Sequence, residues 1–237
     1  MTQAGYVHRV VIQDRSASMR SILEGAQEGL DGFIAEQAAR SGKTTMSLWD
    51  FDEDIRCLYS MEPPAALAGY QIAPRYNTNL YDAVYMAVES EGRKLARLPE
   101  DQRPEDVVVL VNSDGEHNTT VAHDGPEVKA LLAHQQDVYK WRVIYMGCNQ
   151  DAFAEGARIG TRAGLTVNTV PSNDGMRSAW KMSSSYLDRV PVASAAAGRG
   201  VSIDLTDAER ALGEGREDEL ARADAAAMSD DDLDEES

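Results

Sequence analysis

The sequence predicts an α/β protein: a doubly wound, mostly parallel central sheet with helices on both faces and one antiparallel edge strand, a Rossmann-like arrangement. Three observations predict it. Strand and helix patterns alternate through the first 190 residues, as crossover connections between parallel strands require. Residues 107–111, VVVLV, are continuously apolar and rich in β-branched side chains, which marks a strand buried on both faces. The 237 residues are 43% hydrophobic, enough to build one full-sized core.

The elements follow in order. Residues 10–13 form the first strand. A helix over residues 21–39 comes next, with Ile22, Ala26, Leu30, Phe33, Ile34 and Ala38 on one face. Gly42 ends that unit. Residues 46–51 and 55–59 alternate in polarity and are joined by Asp52-Glu53-Asp54, a hairpin that supplies the antiparallel edge strand. Pro63 and Pro64 open a loop running to Pro74. A helix over residues 80–95 carries Leu80, Val84, Ala87, Val88 and Leu95 on its apolar side. After the strand at 107–111, Gly125-Pro126 starts a helix ending near Gln136, with Pro at a permitted first-turn position. Residues 141–146 are a strand, 152–159 a short helix, 165–170 a weaker strand, and 176–188 the last helix. Trp49, Phe51, Trp141 and Trp180 are assigned to the core.

Composition changes after Pro191. Residues 1–190 are read as the α/β domain and 191–237 as a flexible linker followed by an acidic, mostly disordered tail. Within the tail, Thr206-Asp207-Ala208-Glu209 has the pattern of a capping box that could start a short helix. The formal net charge is −17, and residues 204–237 hold 14 acidic against 3 basic residues, a net of −11. Nucleic acid is excluded as a partner, because phosphate backbones need a basic footprint. Nothing resembles a signal peptide and no apolar run approaches the roughly 20 residues that cross a bilayer, so no membrane partner is expected and the chain reads as cytoplasmic. Cys57 and Cys148 lie far apart without a CxxC pattern and are expected to stay reduced and part-buried.

The chemistry concentrates at VVIQDRSASM, residues 10–19. A strand delivers Asp14, Ser16 and Ser18 into a loop that opens into a helix, so one carboxylate and two hydroxyls make a compact cup of oxygens. Such ligands suit a hard divalent cation, Mg²⁺ above all, and would not suit zinc or copper. Ligands of an open parallel sheet bind beyond the carboxyl ends of its strands. The VVVLV strand runs into Asn112-Ser113-Asp114-Gly115, which places Asp114 at the same rim. Thr78, in Tyr76-Asn77-Thr78-Asn79-Leu80, stands where a loop turns into a helix. Asp82 reads as a first-turn acid facing the helix dipole. Glu116 and His117 read as solvated loop residues, and His8, His123 and His134 as surface or packing histidines.

These segments resemble a von Willebrand factor A domain with a metal-ion-dependent adhesion site, a pattern of DxSxS, a loop Thr before a helix, and an Asp in a TDG-like turn. The resemblance covers roughly residues 6–190. It implies that Ser16, Ser18 and Thr78 bind Mg²⁺ (or Mn²⁺ or Ca²⁺) through their hydroxyls, with Asp14 and Asp114 acting directly or through water. One position would be left for a partner's Asp or Glu. Ala17 and Asn77 stand where the family usually has Gly, and Ser113 where it has Thr; none of these removes a ligand. Tyr145-Met146-Gly147-Cys148-Asn149-Gln150-Asp151 resembles a turn of prokaryotic and phage-encoded members, which points to a bacterial or phage protein.

The function implied is a non-enzymatic, Mg²⁺-dependent protein–protein interaction module. The acidic tail is a candidate occupant of the same site, in cis or in trans. The alternative is an accessory subunit of an AAA+ ATPase complex of the MoxR or chelatase-like kind; the ATPase would be a separate chain, since no GxxxxGK[ST] occurs. A metal-dependent hydrolase ranks below both. Asp14 after a strand is similar to a haloacid-dehalogenase nucleophile, but Ser16 stands where the second acid belongs, leaving no general acid.

Overall fold

A computed structural model describes residues 2–114, 117–119, 122–148, 151–190 and 204–216. Six strands form one sheet in the order β3-β2-β1-β4-β5-β6. In chain order they are β1 (Gln3–Asp14), β2 (Lys43–Phe51), β3 (Ile55–Glu62), β4 (Pro104–Ser113), β5 (Arg142–Cys148) and β6 (Thr166–Thr169). All neighbours pair in parallel except β2 and β3, so β3 is the antiparallel edge strand. The helices are α1 (Leu23–Ala39), α2 (Leu80–Arg97), α3 (Gly125–Val138), α4 (Ala152–Ile159), α5 (Asn173–Arg189) and α6 (Asp207–Gly213).

Strand alternation sorts the side chains into two cores. Val11, Leu48, Leu110 and Ile144 face α1 and α5, where Leu30, Phe33, Met176 and Trp180 bury them. Val10, Ile12, Val109, Val111 and Val143 face the other way, against α2, α3 and α4. The period of two along each strand puts neighbours on opposite faces, so central strands must be apolar throughout. The result is the three-layer arrangement that the βα alternation predicts.

Several boundaries move: β2 begins at Lys43, β3 runs on to Glu62 and β4 begins at Pro104, and three further shifts have a visible cause. β1 begins at Gln3 rather than Val10, over the polar stretch QAGYVHR. Hydrogen bonding on both sides by β2 and β4 holds it extended, and its buried side chains meet polar partners: Arg9 with Asp106 at 2.6 Å, His8 Nδ1 with Thr45 Oγ1 at 2.9 Å. The helix expected from residue 21 starts instead with a 3₁₀ turn, Ala17–Ile22, before α1. α5 starts at Asn173, three residues early, because the Ser172 hydroxyl caps it by accepting from the Gly175 N–H.

The Thr206–Glu209 capping box forms, with both of its reciprocal hydrogen bonds, and begins α6. Glu209 pairs with Arg189 of α5 at 2.8 Å, and the Arg210 guanidinium donates to the Thr166 carbonyl at 2.7 Å, so residues 204–216 lie against α5 and the β6 edge. The linker and terminal acidic stretch, residues 191–203 and 217–237, lie outside the described residues. Cys148 is buried as expected, whereas Cys57 is exposed on edge strand β3. Trp49, Phe51, Trp141 and Trp180 are buried. Among the described residues, no helix is long and apolar enough to cross a membrane.

Candidate metal centre

Strand order reverses between β1 and β4, because the chain leaves β1 towards β2 and β3 but leaves β4 towards β5 and β6. At such a switch point the two outgoing connections diverge and open a crevice. Asp14 ends β1 and Asp114 directly follows β4, so topology alone brings these two carboxylates to one rim.

The side chains there form a continuous network. Ser16 Oγ and Ser18 Oγ lie 3.0 Å apart, and Ser18 donates to Asp114 Oδ1 at 2.7 Å. The Ser16 N–H donates to Asp14 Oδ1 at 2.7 Å, and Ser113 Oγ donates to Asp14 Oδ2 at 2.6 Å. Asp14, Ser16 and Asp114 are buried, while Ser18 is exposed at the opening. Four of the five residues singled out from the sequence are therefore joined directly.

The loop carrying Thr78 is tied to the Ser16–Ser18 loop through its backbone. Tyr76, in the same loop, accepts at its carbonyl from the Ala17 N–H at 3.0 Å. Asn118 grips Thr78 itself: its side-chain oxygen accepts from the Thr78 N–H at 2.9 Å, and its own N–H donates to the Thr78 carbonyl at 3.2 Å. The Ser16–Ser18 loop is thus joined to Asp114 through side chains and to the loop carrying Thr78 through backbone hydrogen bonds.

Residues around the site extend, correct or match their sequence reading. Asp82 does sit in the first turn of α2, and it also anchors the segment after β4. Its carboxylate accepts from the Ala122 N–H, the His123 N–H and His123 Nδ1, at 3.1, 2.9 and 2.8 Å. Burial alone would raise the Asp82 pKa, but these hydrogen bonds outweigh it and hold the carboxyl below its usual range. His117 is half-buried and stacked on Tyr81 at 4.1 Å rather than solvated, and Glu116 lies outside the described residues. His8 is buried between Thr45 and Glu91, and His134 packs edge-on to Tyr139. Ser113, noticed only as a departure from a family pattern, orients Asp14. Asn118 carried no signal in the sequence.

The electrostatics fit a cation. Burial pushes the Asp14 carboxyl up to about 7, against the hydrogen bonds from Ser113 and Ser16, and the charge of Asp114 adds to the rise. Burial raises Asp114 as well. Two anionic groups held together away from water destabilise each other's charged form, and a divalent cation between them reverses that penalty. Asp114 Oδ2 is buried with no hydrogen-bond partner among the described residues, so it has lone pairs to give. The donors are carboxylate and hydroxyl oxygens, which match Mg²⁺, Mn²⁺ or Ca²⁺.

No family model and no curated protein matches the sequence. Solved structures do match its fold. Proximal thread matrix protein 1 from the mussel byssus, in its second crystal form, is similar with a TM-score of 0.56 at 14% identity, over 74% of this chain and 46% of that one. The same protein with a zinc-occupied MIDAS motif gives the same values. The ArnB paralog VWA2 from Sulfolobus acidocaldarius is similar at a TM-score of 0.45 and 18% identity, over 75% of this chain and 44% of that one. This chain spans a little under half the length of those proteins. Its fold is the Rossmann-like von Willebrand factor A fold.

Proposed function

We propose that this chain is a non-enzymatic protein-binding module whose contact runs through a hard divalent cation. Ser16, Ser18 and Thr78 hold the cation through their hydroxyls, and Asp14 and Asp114 hold it directly or through water. Mg²⁺ is the resident ion on this reading, with Mn²⁺ or Ca²⁺ able to replace it. When bound, the cation supplies a strong positive centre at the rim of the sheet. A protein partner offering an Asp or Glu completes its shell, which couples partner affinity to the metal.

One observation carries the reading: the chain of hydrogen bonds from Ser16 through Ser18 to Asp114, closed around the buried carboxylate of Asp14. Buried carboxylates without a cationic partner are costly, so a pair of them at a switch point needs a reason. The zinc-occupied MIDAS motif of the mussel protein supports the same reading for a shared fold. A binding role is favoured over hydrolysis because both Asp14 oxygens already accept hydrogen bonds and Ser16 occupies the position where a phosphatase would place its acid.

Affinity capture in Mg²⁺ and in EDTA, with Asp14→Ala as control, tests this. Capture of a protein only by the native chain and only with metal is expected. Equal capture in EDTA overturns it.

A further inference from the structure

Arg15 lies inside the DxSxS motif, yet its side chain points away from Asp14 and Ser16. It is 1% exposed, and its guanidinium grips Asp52 with two nitrogens, Nη1 to Oδ2 and Nη2 to Oδ1, the second at 3.0 Å. Arg15 Nε also lies 3.2 Å from Asp50 Oδ1. Asp52 is fully buried at the turn between β2 and β3, and Arg75 Nε donates to its Oδ2 at 2.8 Å. Backbone bonds follow the same path. The Arg15 N–H donates to the Phe51 carbonyl at 2.8 Å, the Arg75 N–H to the Arg15 carbonyl at 2.8 Å, and the Asn79 N–H to the Asp52 carbonyl at 3.0 Å.

Asp52 is thus bonded at its side chain to the loop carrying Ser16 and Ser18, and at its backbone to the residue after Thr78. We propose that Arg15 is a positioning residue: its buried pair with Asp52 fixes the separation of the Ser16–Ser18 loop from the Thr78 loop, and thereby sets the affinity of the cation site. The inference rests on the metal reading above and concerns residues that do not touch the metal.

Charge accounts for the choice of residues. A free arginine beside a cation site would repel the cation. Here Arg15, Arg56 and Arg75 are matched by Asp50, Asp52 and Asp54, through contacts of 2.5 Å for Arg56–Asp50 and 3.5 Å for Arg75–Asp54. The cluster is neutral as a whole and leaves little field at the site. Its geometry is specific as well. A planar guanidinium fixes a carboxylate through two parallel bonds, which a lysine ammonium cannot do.

The test uses the full chain with Arg15→Lys and Asp52→Asn. Mn²⁺ alone is titrated calorimetrically well below the unfolding temperature, and amide hydrogen exchange is followed at Ala17, Arg75 and Asn79. Both variants are expected to unfold cooperatively, to bind Mn²⁺ at least about tenfold more weakly, as loss of a group orienting metal ligands does, and to exchange faster at those three amides than at Val109. A purely structural role would lower the melting temperature and leave the affinity of the folded chain unchanged. If Arg15→Lys does not fold, Asp52→Asn, which keeps the size and one acceptor, decides alone. Native affinity in a folded variant overturns the inference and leaves the metal reading standing. A native chain that binds no Mn²⁺ overturns both.

Discussion

Ser18 and Asp114, 96 residues apart in the chain, share a hydrogen bond of 2.7 Å. It joins the loop after β1 to the residue after β4, and it leaves the second Asp114 oxygen buried without a hydrogen-bond partner among the described residues. Asp114 also raises the Asp14 pKa through its charge. Removing that charge therefore relieves the metal-free fold while removing a proposed ligand.

Asp114→Asn is expected to keep or slightly raise the melting temperature without metal and to abolish stabilisation by Mg²⁺. On the proposed reading, Mg²⁺ at a hundred times its dissociation constant would add about 2.7 kcal/mol to the native chain. For a domain of this size that is a rise of roughly 5–10 °C. Calorimetric scans with and without Mg²⁺ measure it; an unchanged Mg²⁺ shift in the variant removes Asp114 from the site.

Asn118 holds the Thr78 N–H at 2.9 Å through its side chain. Asn118 is exposed, so Asn118→Ala trades this hydrogen bond for one to water, a loss of about 0.5–1.5 kcal/mol, and is expected to weaken Mg²⁺ binding along with stability. Asn118→Asp restores an acceptor oxygen and should recover most of the stability. Denaturant titration of the two variants distinguishes them, and equal loss in both counts against a role for the acceptor.

Glu91 gives the fold an acid-sensitive point outside the candidate metal centre. Burial pushes its carboxyl up, but the hydrogen bonds and charges of His8 and Lys94 outweigh burial and hold it at about 2, against an ordinary 4.5. A carboxyl depressed in the folded state stabilises fully above its unfolded pKa, and that stability is lost as pH falls towards the folded value. Native stability should therefore decline between about pH 5 and pH 2, by on the order of 3 kcal/mol at most from this group. Glu91→Gln should be less stable at neutral pH and flatter across that window. Urea unfolding at a series of pH values reads this directly, and parallel curves for the two proteins would refute it.

Two glycines of α1 should respond with opposite signs. A Cβ on Gly25 would lie 2.0 Å from the Asn173 backbone oxygen, so α5 could not keep its approach. Gly32 has nothing within 4 Å. Gly25→Ala is expected to destabilise by about 1–3 kcal/mol despite alanine's better helix propensity, and Gly32→Ala to stabilise by roughly 0.5–1 kcal/mol. Thermal unfolding of the pair is the check; stabilisation by both would mean α1 and α5 do not pack this closely.

The residues around the switch point show which signals are local. Asp14, Ser16 and Ser18 form one short motif, and Thr78 and Asp114 each stand at an element boundary that periodicity locates. Arg15 sits inside that motif, and its partner Asp52 lies 37 residues on, in a turn that reads as ordinary. Asn118 grips Thr78 from 40 residues away, and His8 meets Glu91 from 83. β1 gave no strand signal before Val10 because its burial there rests on polar pairs.

By itself, the sequence determined the α/β alternation, the apolar faces of the helices, the antiparallel edge hairpin and the oxygen-bearing loops, because each rests on periodicity or turn chemistry within a few residues. Only the tertiary structure decided how the loops are held: the Arg15–Asp52 pair, the Asn118 grip on Thr78, the Asp82 anchor and the packing of α6 on α5. A polar side chain can be buried only where a distant partner neutralises it or accepts its hydrogen bond, and that partner is chosen by the fold rather than by neighbours in the chain.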